Sequence, residues 1–247
     1  WNDPAIAADN NRTVTTVVYK KDSNGDVVKD KSGNPVVLRK ATKKISYTLP
    51  NQAIKVIYRA DKSGTSGNFT AWLSGVAPTL WNKPKNDTFV TAFPGNINDA
   101  GNIGRIVGAN FSAGVSQLAA ATKYSITFAE VSYGTKYGLK SAAIGNASGN
   151  FALPTGDATA AFLGSAKVDA KGIFSFDYST KEAGAYTLGI ITYMLGDSDY
   201  KDKAAVPAIK QWANLVISPA CTNLAPDFIA ITGNLKKYAD AAIAKLG

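Results

Sequence analysis

A loop-rich fold mixing strands with helices, α/β or β-rich, is what this sequence predicts, and three observations carry the expectation. The 247 residues are 45% hydrophobic, 18% charged and include 22 glycines, a composition unlike that of a coiled coil or a disordered chain. Ile54-Lys55-Val56-Ile57-Tyr58 is a β-branched run that passes through a polar, glycine-containing turn into Phe69, Trp72 and Leu73 at helical spacing. Leu188-Gly189-Ile190-Ile191-Thr192-Tyr193-Met194 is continuously apolar, as expected of a strand in a covered sheet. The length suits one large domain or two modest lobes, since domains commonly run about 100–200 residues.

Taken in order, residues 1–12 read as the end of a helix or a turn, with Asp3-Pro4 as a breaker. Residues 13–49 alternate as strands do, at Thr13-Val14-Thr15-Thr16-Val17-Val18-Tyr19 and at Val36-Val37-Leu38. Between these runs lie Asn24-Gly25 and Ser32-Gly33-Asn34-Pro35, so a solvent-exposed hairpin or protruding insertion is expected, its charges forming a solvated face. Residues 78–104 are rich in Pro, Asn and Gly and read as a loop. Residues 107–121 read as a turn and a helix with Val115, Leu118 and Ala119 on one face. A strand is expected at 125–131, a short helix at 133–139, and polar loops with small helices and room for a strand over 141–185. Two helices should finish the chain. One is 203–216, with Ile209, Trp212, Ala213 and Val216 inward, and the other is 233–246.

Composition also removes function classes. No histidine occurs, which excludes Ser-His and Cys-His nucleophilic sites and zinc sites built on imidazole. Cys221 is the single cysteine and cannot form an internal disulfide; its place after Pro219-Ala220 suggests a buried, inert thiol. The net charge of +9 suits either a solubilising surface or attraction of an anion. Nucleic acid is disfavoured, because the basic pairs Lys20-Lys21, Arg39-Lys40 and Lys43-Lys44 are scattered and lack interleaved aromatics. No apolar run approaches the ~18 residues that cross a bilayer.

Chemistry concentrates in Arg59-Ala60-Asp61-Lys62-Ser63-Gly64-Thr65-Ser66. A helix beginning near Ser63 leaves its first amides without intrahelical acceptors, and its dipole favours an anion there. Gly64 lets an oxygen approach the backbone, Ser63 and Thr65 add hydroxyls, and Arg59 offers a planar fork to two oxygens. Asp61 is better placed to hold the guanidinium than to meet an anion. An ordinary helix cap beside a surface arginine would give the same local pattern.

That run, followed by Phe69 and Leu73, resembles the phosphate loop of the PstS family of phosphate-binding proteins. Trp1-Asn2-Asp3-Pro4-Ala5-Ile6 is similar to another segment of the family. The same holds for residues 109–115 with Ser125-Ile126-Thr127-Phe128-Ala129-Glu130-Val131, and for residues 186–194 with the last two helices. The resemblance implies an α/β, periplasmic-binding-protein-like fold of type II, with one complete lobe and an incomplete second lobe. It assigns phosphate binding to Arg59, Ser63, Gly64 and Thr65, with Asp61 bracing Arg59, and it implies no metal, no cofactor and no covalent chemistry. Lys62 and Thr127 stand where the family prefers glycine.

The implied organisation is a partial first-lobe or hinge segment with the hairpin at 1–49, a phosphate-loop lobe at 50–190, and a return to the first lobe at 191–247. The family's remaining ligands, including an aspartate that accepts the phosphate proton, precede the position of Trp1. A fragment or incomplete chain is therefore expected, with a partner chain or a truncated relative as alternatives. The function implied is capture of inorganic phosphate outside the cytoplasm, in the periplasm or at the cell surface with or without a lipid anchor. Delivery to the membrane subunits of an ABC importer would follow. The competing readings are a cell-surface interaction or adhesion module with a vestigial oxyanion pocket and, poorest, a phosphate-ester hydrolase.

Overall fold

In the structure, a computed structural model, residues 1–31, 35–169, 171–182, 184–218, 220–221, 228–231 and 233–247 are described. Ser32, Gly33, Asn34 and Pro219 of the expectations above lie outside the described residues. Helix α1 (Pro4–Asn10) starts where a break was expected. Asp3 caps it by accepting the Ala5 amide at 2.9 Å, and Pro4 sits at the first helical position, where no N–H is needed. Strands β1 (Thr13–Tyr19) and β2 (Val37–Lys44) pair antiparallel with Thr13 opposite Lys44. Every residue of β2 is exposed. The arm folds back between them at Asp22, whose carboxylate accepts the Asn24 and Asp26 amides, and at Gly25 with φ 82°.

The site is carried by a parallel sheet of strand order β4-β3-β5. It is built from β3 (Lys55–Arg59), α2 (Gly64–Val76), α3 (Phe89–Ala92), β4 (Ile106–Ala109), α4 (Phe111–Ala121) and β5 (Ser125–Ile126), with α5 (Val131–Lys136) following. Three elements depart from expectation. α3 interrupts the region read as loop. β4 occupies positions read as a turn, because four residues ending in Gly108-Ala109 are too short to show a period. β5 is two residues long, and beyond it Thr127 Oγ1 donates to the Ile57 carbonyl at 2.9 Å. Strand alternation sorts β3 between two cores. Ile57 packs with Val115 and Ala119 of α4. Tyr58 packs with Phe89 and Ile106, against Val56, Phe69 and Trp81. Arg59 therefore leaves the strand on the Ile57 side, toward α4.

The chain then forms the hairpin β6 (Ile144–Gly145) and β7 (Phe151–Ala152), α6 (Gly156–Leu163), and the hairpin β8 (Lys167–Val168) and β9 (Phe174–Ser175). Phe162 and Leu163 of α6 are buried with Ala185, against Phe176, Tyr178 and Ile191. The expected strand at 188–194 is not one: among the described residues it pairs with no neighbour. It is held by side contacts instead: Gly189 lies against Phe162, the Asn68 amide donates to the Gly189 carbonyl at 3.4 Å, Ile191 packs on the Phe162 cluster, and the Tyr193 hydroxyl accepts the Phe174 amide at 2.8 Å. Leu195 beyond it is 94% exposed. Apolar character reports a wish for burial and names no strand to pair with.

Helices α7 (Val206–Val216) and α8 (Gly233–Ala244) close the chain through Ala213, Ile217 and Ile243. Trp212 and Val216, expected inward, are exposed, Trp212 by 56%. The buried stripe runs through Ala213 and Ile217 at a spacing of four, and residues one position earlier lie about 100° around the helix. Cys221 is half-buried rather than buried. Among the described residues, no helix is long and apolar enough to cross a membrane.

Candidate functional site

The carboxyl end of β3, the middle strand of the parallel sheet, delivers Arg59. The chain passes to β4 on one side of it and returns to β5 on the other, the crossing at which open parallel sheets form a ligand crevice. Arg59 is 7% exposed. Its Nε donates to Asp61 Oδ1 at 2.9 Å and its Nη2 to Asp61 Oδ2 at 2.6 Å. The remaining arm, Nη1, donates to Ser112 Oγ at 2.9 Å. A guanidinium has five N–H donors, so two stay available after these three bonds.

Asp61 also accepts the Phe111 amide at 2.8 Å. The Arg59 hydrogen bond holds the Asp61 carboxyl well below the usual carboxylate range; burial opposes this and the Phe111 amide reinforces it. The hydrogen bond to Asp61 likewise pushes the Arg59 guanidinium up. Both groups stay ionised across the neutral range.

Helix α2 starts at Gly64, five residues after Arg59. Ser63 caps the helix, its Oγ accepting the Thr65 amide at 3.1 Å, and its own amide donates to the Asp87 carbonyl at 2.9 Å. Two of the amides expected to face an anion are thus engaged by the protein. The cap takes the Thr65 amide, the second of the helix, and the Asp87 carbonyl takes the amide of the capping Ser63 itself. Among the described residues, the Gly64 and Ser66 amides meet no protein acceptor. A Cβ at Gly64 would touch nothing within 4 Å, whereas one at Gly67 would lie 2.1 Å from Asp87 Oδ1. The helix is therefore pinned on its Gly67 side and open at Gly64. Lys62 needs no glycine, since it is not among the non-glycine residues with positive φ, which are Phe111 and Tyr124.

Three contributors were not legible in the sequence. Ser112 and the Phe111 amide follow β4, so recognising that strand would have exposed a second strand-turn-helix start. Glu130 accepts the Thr65 hydroxyl at 3.2 Å through Oε1, while its Oε2 is buried without a hydrogen bond. It borders an open cleft of about 450 Å³ shared with Ser132, Tyr133, Lys136 and Phe228. No local signal marks it. Among the described residues, no cluster of three or more His, Cys, Asp or Glu is placed to hold a metal.

Phe111 holds its amide toward Asp61 at φ 60° while its side chain is 67% exposed. That conformation costs a bulky residue about 1–2 kcal/mol, and glycine adopts it freely at a somewhat higher entropic cost of folding. Phe111→Gly is expected to leave stability unchanged or raise it by up to about 1 kcal/mol, read as the denaturation midpoint. A loss larger than that would show that the ring contributes packing.

Residues 12–220 match the family model described as a PBP superfamily domain. The chain belongs to the PBP superfamily. Among curated proteins it is 31% identical over 178 residues to the phosphate-binding protein PstS2 of Mycobacterium bovis (strain BCG / Pasteur 1173P2), covering 69% of this chain and 45% of that protein. It is 28% identical over 204 residues to the phosphate-binding protein PstS 3 of Mycobacterium tuberculosis (strain ATCC 25618 / H37Rv), covering 80% and 52%. The phosphate-binding protein PstS of Methanocaldococcus jannaschii is 30% identical over 130 residues, 53% of this chain and 32% of that one. The PstS-type resemblance read from the phosphate loop is borne out by these relatives, and the chain spans about half the length of the two mycobacterial proteins. The α/β architecture is that of a PBP-like protein.

Proposed function

We propose that this PBP-superfamily chain grips inorganic phosphate outside the cytoplasm and serves the membrane subunits of an ABC importer. The observation that carries the reading is a buried arginine, fixed by its own carboxylate, that keeps donors to spare beside the open start of α2. In this reading, two phosphate oxygens meet the free N–H groups of Arg59 and the Gly64 amide. The Ser63 hydroxyl, which accepts from Thr65, still has its proton to donate. The Thr65 hydroxyl joins by turning from Glu130. Asp61 touches no phosphate and keeps the fork aimed. A second lobe, formed in part by residues 1–49 and 191–247, closes over the far side of the anion. Nothing here forms or breaks a covalent bond, so the reading is of a binding protein and not an enzyme.

Titration calorimetry of the chain with phosphate and, separately, with sulfate tests this. Saturable, one-to-one phosphate binding is expected. Absence of phosphate binding, or a hydrolase activity lost in Ser63→Ala, would overturn the assignment.

A further inference from the structure

Residues 12–44 contain nine of the chain's 27 basic residues but three of its 18 acidic ones, a net of +6 within a total of +9. The structure gathers four of these cations on β2, at Arg39, Lys40, Lys43 and Lys44, all exposed. Their cross-strand neighbours are Val18, Val17, Val14 and Thr13, so no carboxylate stands opposite them. Among the described residues none of the four is in an ion pair, whereas Lys21 at the base of the arm is held by Asp157 at 2.8 Å. An edge strand is blunted by a lysine or two. Four uncompensated cations in six residues exceed that need.

We infer that the outer edge of β2 docks a linear, phosphate-bearing polyanion, at a site separate from Arg59. Alternation puts Arg39 and Lys43 on one face of the strand and Lys40 and Lys44 on the other, with about 13 Å between the members of each pair. A flat bilayer meets one face of such a ribbon. A thin chain running along the edge is within reach of both, the lysines acting as point charges and Arg39 as a fork. Residues 37–44 include no aromatic side chain on which a base could stack, so the polymer's charges are read and nothing else.

Labelled long-chain inorganic polyphosphate, followed by fluorescence anisotropy with the full chain, tests the inference. Binding is expected to weaken steeply between low and physiological salt, by about 0.7 in logarithmic slope per phosphate contact. The variant R39Q/K40Q/K43Q/K44Q should bind at least tenfold more weakly, with a slope smaller by about 3. The control K123Q/K140Q/K171Q/K201Q removes the same charge from exposed positions elsewhere and should bind as the parent does. Titration of the arm variant with inorganic phosphate should match the parent, which keeps this result apart from that of the Arg59 site. Equal losses in both variants would reduce the effect to net charge and overturn the inference. So would an unbound polymer, a preference for phosphatidylglycerol vesicles over polyphosphate, or tighter binding of duplex DNA.

Discussion

Arg59→Ala is expected to weaken phosphate binding by about 2–5 kcal/mol, roughly thirtyfold to several thousandfold, in calorimetric titrations at neutral pH. The size follows from burial: the guanidinium is almost wholly removed from water, and a charged donor lost from such a place leaves its partner anion uncompensated. The same change strips Asp61 of its counter-ion, so folding must be checked beside affinity. Arg59→Lys separates the two effects. It keeps the charge but cannot engage both Asp61 oxygens and Ser112 at once, and it should recover less than half of the lost binding energy. An affinity unchanged by Arg59→Ala would remove the site from this crevice.

Asp61→Asn should lower folding stability at neutral pH by about 3 kcal/mol, the lower end for breaking a buried ion pair, since the Asp61 side chain keeps 20% exposure. Its pH dependence has a defined sign. The native carboxyl titrates far below its unfolded value because Arg59 and the Phe111 amide favour the ionised form. Its contribution is therefore complete above about pH 5 and is lost as pH falls through about 4 and below, where the unfolded chain takes up the proton first. Chemical denaturation of both proteins at pH 7 and pH 3 should show the difference between them shrinking in acid. A gap of equal size at both would mean that packing, not charge, distinguishes the two side chains.

How much of this was legible follows from sequence separation. Arg59, Asp61, Ser63 and Gly64 lie within six residues, so a strand, a turn and a helix start suffice to bring them together, and the run from Ile54 to Leu73 gave all three. Ser112 and Glu130 enter from 53 and 65 residues away, and no local period encodes such a meeting. β4 escaped notice because it spans four residues and ends in glycine and alanine. Residues 188–194 failed for the opposite reason: their apolar pattern is strong, but a strand exists only where another strand lies beside it. On α7, the pattern allowed several inward faces, and contact with α8 selected the one through Ala213 and Ile217. The expected hairpin was legible from alternation, while the isolation of its charges depended on which residues stand across the ladder.

The carboxylate of Asp61 serves two masters, the strand-end guanidinium and the first amide of α4. One side chain thus freezes the receptor before any guest arrives. An arginine in water samples many rotamers, and stilling it costs up to about 2 kcal/mol; here that cost belongs to folding. In the proposed reading, capture of phosphate then has little disorder left to remove at Arg59, and the ordering that remains falls to the Thr65 hydroxyl and the closing lobe.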